Sequence, residues 1–128
     1  MSKIHILYEN PVWMSPIEEA LKKREVDFKL HFVNDGSFDL SKVPEEGVYL
    51  NRMSPSSHTR GHLGGLRLTR ELLLWLEFHG RRVINGSRAF SLELSKIQQD
   101  IELRKVGILT PRTMVVVGRD NLKHVARN

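Results

Sequence analysis

Segments that favour extended backbone alternate along this chain with segments that favour helix, and that alternation admits few folds. Lys3 to Glu9, Asp27 to Val33, Gly47 to Arg52 and Arg82 to Asn85 read as strands, and Thr113 to Val117 reads as a fifth. Asn10-Pro11 breaks the first strand, and Ser15-Pro16-Ile17-Glu18 then predicts a helix start: a serine cap, proline at the first helical position and glutamate closing a capping box. A long helix is expected from His62 to His79, stopped by Gly80. Another is expected from Ser87 to Lys105 or Val106, with Leu94, Ile97 and Ile101 on one face and Gly107 as its stop. Asp120 onward reads as the start of one more helix. Asn34 to Ser37 is a turn signal, and residues 37–46 and Met53 to Gly61 read as loops.

Strands separated by helices imply βαβ units, which cross over right-handed and build a parallel sheet. The fold class expected is therefore α/β: an open, mostly parallel sheet with helices on both faces. Such sheets bind ligands beyond the carboxyl ends of their strands. That rule selects Glu9 to Trp13, Asn51 to Arg60 and Asn85 to Arg88.

Composition narrows the chemistry. The 128 residues hold no cysteine, which removes disulfides, thiol catalysis and thiolate metal sites, and fits a cytoplasmic protein. The longest apolar run, Leu72 to Leu76, falls far short of the roughly 20 residues of a bilayer span, so no membrane partner is expected. Twenty Lys and Arg against fifteen Asp and Glu give a net charge of +5. The basic residues are scattered in small groups, which suits a small anion as well as nucleic acid; charge alone supports the latter, so nucleic acid is not the expected partner.

The stretch from Asn51 to Arg60 is the most unusual. It follows a strand and combines Arg52 and Arg60 with Ser54, Ser56, Ser57 and His58. Arginine forks grip carboxylates or phosphates, and hydroxyls add donors. Asn85-Gly86-Ser87-Arg88 lies at a strand-to-helix junction, where free amides attract anions. The substrate-binding candidates are thus Asn51, Arg52, Ser54, Ser57, Arg60 and Asn85. The bland alternatives are a solvated loop and a plain capping turn. His58 and His62 have a metal-ligand spacing, but Pro55 and Gly61 argue against one helix carrying both, and no metal site is expected. Trp75 is expected in the core; Trp13 follows the first strand near the ligand edge, where lining a pocket is the alternative to the core packing expected of it too. No nucleophile elbow, Walker loop or dinucleotide fingerprint is present, and no catalytic residue is assigned.

Val83-Ile84-Asn85-Gly86-Ser87, a helix bearing Lys96, and Gly107-Ile108-Leu109-Thr110-Pro111-Arg112-Thr113 together resemble the entry to an ATP-grasp enzyme of the glutathione synthetase and glutamate ligase branch. The βαβ layout before them is similar to the N-terminal, pre-ATP-grasp domain of those proteins. The resemblance implies a pre-ATP-grasp domain over residues 1–110 and the start of a truncated nucleotide-binding domain over 111–128. It implies activation of a carboxylate as an acyl phosphate with ATP and magnesium, followed by attack of an amine. It assigns Lys96 to nucleotide binding, although Ser95 stands where many relatives have aspartate. The remaining nucleotide-binding parts of such ligases lie further along the chain than Asn128. The expectation is therefore a substrate-side domain that does not turn over ATP alone and binds no cofactor alone. Its partners would be a carboxylate substrate, the missing C-terminal domain and, if paired, a second copy. The alternative is a stand-alone α/β module that holds a small anion without catalysis.

Overall fold

A computed structural model describes residues 3–125. Four strands, β1 (Ile4–Tyr8), β2 (Phe28–Phe32), β3 (Val48–Asn51) and β4 (Arg82–Ile84), form one all-parallel sheet in the order β2-β1-β3-β4. The helices are α1 (Pro11–Lys23), α2 (Leu63–Phe78), α3 (Ser87–Leu94), α4 (Lys96–Lys105) and α5 (Arg119–Val125), with a 3-10 helix at Pro55–Arg60. The chain divides into two compact units, one ending at Leu94 and one beginning at Ser95.

The first unit holds the sheet, and the architecture is the open parallel α/β fold that the alternation predicts. Register places His5, Leu7, Tyr49 and Asn51 on one face. Leu7 and Tyr49 pack there with Val33, Met53, Leu73 and Leu76 of α2 and Phe90 of α3. The β1-to-β2 and β3-to-β4 connections run in opposite directions, so right-handed crossovers put α1 on the other face. That face holds Ile6, and α1 contributes the buried Met14. No helix joins β2 to β3. Residues 33–47 cross over as a loop, pinned where Arg81 donates to the Pro44 carbonyl (2.7 Å) and Tyr49 donates to the Glu45 carbonyl (3.0 Å).

Helix ends explain several departures from expectation. α1 begins a turn early because Asn10 caps it, its side chain accepting from the Val12 amide at 3.1 Å, with Pro11 in the first turn. The anticipated break is a helix start, and Pro16 falls inside the helix, where Ser15 donates to Glu19 instead of capping. The loop at Met53 to Gly61 contains the 3-10 helix, capped by Ser54 and closed by Gly61 at φ 82°. α2 ends as expected, with Gly80 left-handed at φ 69°.

The single helix expected from Ser87 is two. Ser95 interrupts it and caps α4, accepting from the Gln98 amide at 3.2 Å. α4 buries no residue, and the stripe of Leu94, Ile97 and Ile101 is exposed. Thr113 to Val117 is no strand and pairs with no part of the sheet among the described residues. Its apolar side chains at 115 and 117 are exposed. The helix expected from Asp120 is α5, and positions 126–128 of that expectation and of the second predicted domain lie outside the described residues. No helix among the described residues is long and apolar enough to cross a membrane.

Candidate functional site

In the order β2-β1-β3-β4 the winding reverses between β1 and β3, and the crevice beyond their carboxyl ends is where such sheets bind ligands. Glu9 follows β1 at this point and is 1% exposed. A buried carboxylate is tolerated only with partners. Glu9 has three bonds from two: Arg60 donates through Nη2 to Oε1 and through Nε to Oε2 (3.2 Å), and His62 Nδ1 donates to Oε2 (2.8 Å). Burial alone would raise the Glu9 carboxyl, but hydrogen bonds from Arg60 and His62 and the attraction of their charges hold it below its ordinary value. Arg60 Nη1 also donates to Ser56 Oγ (3.2 Å), and its guanidinium lies 5.1 Å from the Trp13 ring centre. Phe32 meets the His62 ring edge-on. The 3-10 helix is thereby clamped to the end of β1. Trp13, expected in the core, is 48% exposed beneath that arginine.

β3 and β4 are tied together at the same end. Asn51 Nδ2 donates to the Asn85 carbonyl (3.0 Å), and Asn85 Nδ2 returns a bond to the Asn51 carbonyl (3.3 Å). Asn51 is buried, and its Oδ1 accepts from the Met53 amide at 3.0 Å. Asn85 takes a left-handed backbone at φ 56°, which asparagine adopts more readily than most residues. Beyond it, the Glu77 carboxylate caps α3, accepting from Ser87 N (2.8 Å) and Ser87 Oγ (2.5 Å). A Cβ on Gly86 would displace that carboxylate from its place against Ser87. The protein's own anion thus sits on the helix terminus.

All six sequence-derived candidates lie at the carboxyl end of β3 or β4, or in the turn that follows. Their engagement differs. Asn51 and Asn85 hold two strands together. Ser54 caps the 3-10 helix and meets Ser56 Oγ at 2.8 Å. Ser57 is fully buried and donates to the His62 carbonyl at 3.4 Å. Arg60 is neutralised by Glu9. Arg52 is exposed, with no ion-pair partner among the described residues. Lys96 belongs to the second unit, where its Nζ donates to Gln99 Oε1 at 3.1 Å. His58 and His62 do not converge: His58 Nδ1 bonds the Pro55 carbonyl while His62 faces Glu9. No group of three potential metal ligands occurs among the described residues.

Glu9, His62 and Glu77 organise this end of the sheet; the strand-end rule selects the segment that begins at Glu9, but sequence reasoning names none of the three as a site residue. The signal for Glu9 is its position, an acidic residue directly after a strand at the winding reversal. No protein-family model matches the chain, and a search of curated proteins finds no match.

Proposed function

We propose that the first unit is the substrate-side domain of an ATP-grasp carboxylate–amine ligase, and that it receives the carboxylate at the crevice beyond β1 and β3. The motif resemblance at residues 83 to 113 suggests the ligase class. The observation that supports the site is the contrast between two arginines: Arg60 is neutralised by buried Glu9, whereas Arg52, one residue past β3, is exposed and has no ion-pair partner among the described residues. An exposed guanidinium offers two parallel donors to a carboxylate. In this reading Arg52 binds and orients the acid, and the Asn51–Asn85 exchange keeps β3 and β4 fixed beneath it.

ATP and magnesium would supply the acyl phosphate in the whole enzyme. The residues at this edge do not fit them: the Glu9 carboxylate is buried and bonded to Arg60 and His62, and Glu77, bonded to Ser87, sits at the α3 terminus that would cradle a phosphate. No nucleotide step is therefore assigned to this unit. That same fact favours the alternative, a small-anion module without chemistry, equally well.

The test is an amide-resolved NMR titration of the chain with L-glutamate. Saturable shifts are expected around Arg52 and Asn85, and Arg52→Ala should weaken them at least tenfold while leaving the melting temperature unchanged. Equal binding by the variant would remove the site. Glutamate-dependent phosphate release from ATP by a longer protein carrying these residues separates the ligase from the plain module.

A further inference from the structure

Two histidine rings meet between β1 and β2. The rings of His5 and His31 stack with centres 5.2 Å apart, and His5 Nδ1 lies 3.0 Å from His31 Nε2. The other His5 nitrogen, Nε2, lies 3.2 Å from the Glu46 carbonyl. Tyr49 of β3 stacks on His5 at 4.4 Å, and the His5 side chain is fully buried, so water does not reach its ring. The pair thus joins β1 to β2, the edge strand of the sheet, and to the end of the 33–47 crossover loop.

This geometry limits how many protons the two rings hold together, whichever of them is the donor. One N–H between Nδ1 and Nε2 makes the bond, and either ring can supply it. An uncharged pair therefore keeps the bond, and so does a pair carrying one positive charge. When both rings are cations, each nitrogen of the contact bears a hydrogen, and two donors face each other at 3.0 Å with no room for water between them. The closed pair accepts at most one added proton, whereas two separated rings accept two.

Neighbouring charges do not lift that limit. Lys29 of β2 pairs with Glu45 of the loop (2.5 Å), Arg81 pairs with Glu46 (2.8 Å), and Lys3 faces Asp27 (3.8 Å). Asp35, Asp39 and Lys42 line the same cavity as His31. Burial first, then repulsion from His5 and Lys29, holds the His31 ring below its ordinary value against the attraction of Glu45. Burial pushes the Tyr49 phenol up. Ordinary carboxylates, ammoniums and phenols do not titrate between pH 5 and 7, so in that window imidazoles change charge.

We propose that His5 and His31 form an acid-released latch: at neutral pH their shared proton holds β2 and the crossover loop against β1, and in weak acid the uptake of a second proton frees them. β2 and the loop wall a cavity of about 630 Å³ whose opposite side is α2, so release opens it. The latch does not depend on the carboxylate reading of the crevice. Below the ordinary histidine value of about 6.5 the opened segment binds more protons than the closed one, so opening becomes easier as pH falls, by up to about tenfold per pH unit for one extra proton.

Amide hydrogen exchange of the whole chain, corrected for intrinsic rates, tests this. The Val33 amide donates to the Tyr8 carbonyl across β1 and β2, and the Arg52 amide donates to the Leu7 carbonyl across β1 and β3. Between pH 7 and pH 5, protection at Val33 should fall at least about tenfold while protection at Arg52 holds. His31→Gln keeps a partner able to donate or accept but unable to titrate, so its Val33 protection should stay within roughly threefold over the same range. His5→Gln makes the same test from the other ring. Unchanged Val33 protection in the wild-type chain overturns the latch without recourse to a variant. Equal losses at Val33 and Arg52 would show unfolding of the whole unit instead, and a loss in His31→Gln equal to that of the wild type would assign the proton elsewhere; either result overturns it as well.

Discussion

Replacing Glu9 by glutamine tests the clamp at the winding reversal. The side chain keeps its shape and loses its charge. The carboxylate accepts three bonds, from Arg60 Nε, Arg60 Nη2 and His62 Nδ1, with Oε1 taking one and Oε2 two. An amide offers one accepting oxygen, and its NH₂ must face a donor of Arg60 or His62. At least one bond to a charged group is lost, worth about 1.5–3 kcal/mol. For a unit of this size that is a fall in melting temperature of roughly 6–24 °C. Acid should remove the difference. Glu9 is held below its ordinary pKa of 4.5, so its contribution is complete above that value and is lost as pH falls through the lower, folded-state value. Denaturant unfolding of both proteins between pH 7 and pH 2.5 should show the wild type ahead at neutrality, with the gap closing below pH 4.5. A gap that persists unchanged to pH 2.5 would show that shape, and not the carboxylate charge, makes the clamp. A variant as stable as wild type at pH 7 would refute the reasoning outright.

Two other substitutions check one packing contact of the first unit and one helix cap of the second. Gly65→Ala would place a Cβ 2.6 Å from the Val33 carbonyl, so overpacking of about 1–3 kcal/mol should outweigh the roughly 1 kcal/mol gained in helix propensity; a stabilised variant by thermal melting would show that the approach is looser than described. Ser95→Ala should cost α4 about 1 kcal/mol and speed amide exchange at Gln98 and Gln99 without altering exchange in β1 or β3; unchanged exchange in α4 would mean that the cap is dispensable.

What the sequence discloses follows from the range of the interactions. The four paired strands are legible because each carries its own local pattern, and α2 because Gly80 ends it at the predicted place. The carboxyl edge is legible because parallel βαβ units fix which strand ends can bind. The split at Ser95 is hidden by the helical spacing of Leu94, Ile97 and Ile101, which runs straight through the serine. The side chain's bond to the Gln98 amide caps a new helix there, a competition with the backbone that serine wins at caps. That stripe imitates a core face, yet all three side chains are more than 40% exposed. Thr113 to Val117 has strand composition without a neighbour to pair with, and pairing is a long-range property that composition does not encode.

Charge shows the same limit with more consequence for function. Counted along the chain, Arg52 and Arg60 are equivalent: two arginines flanking a serine-rich stretch. In the fold they are opposites. Glu9, 51 residues before Arg60, cancels one of them and fixes its position, and no ion pair among the described residues cancels the other. The Ser87 amide is likewise open in the sequence and closed in the fold, because Glu77 reaches it from ten residues back. In the proposed reading, an anion arriving at Arg52 therefore meets that one guanidinium, and not the Arg52 and Arg60 pair that chain order suggests. Recognition by a single fork requires the ligand to present a flat, two-oxygen face in one orientation. That is the demand a carboxylate meets, and a site so built selects by geometry more than by net charge. Its affinity for glutamate should consequently fall less steeply with added salt than that of a multi-arginine patch, where several exposed charges are screened together.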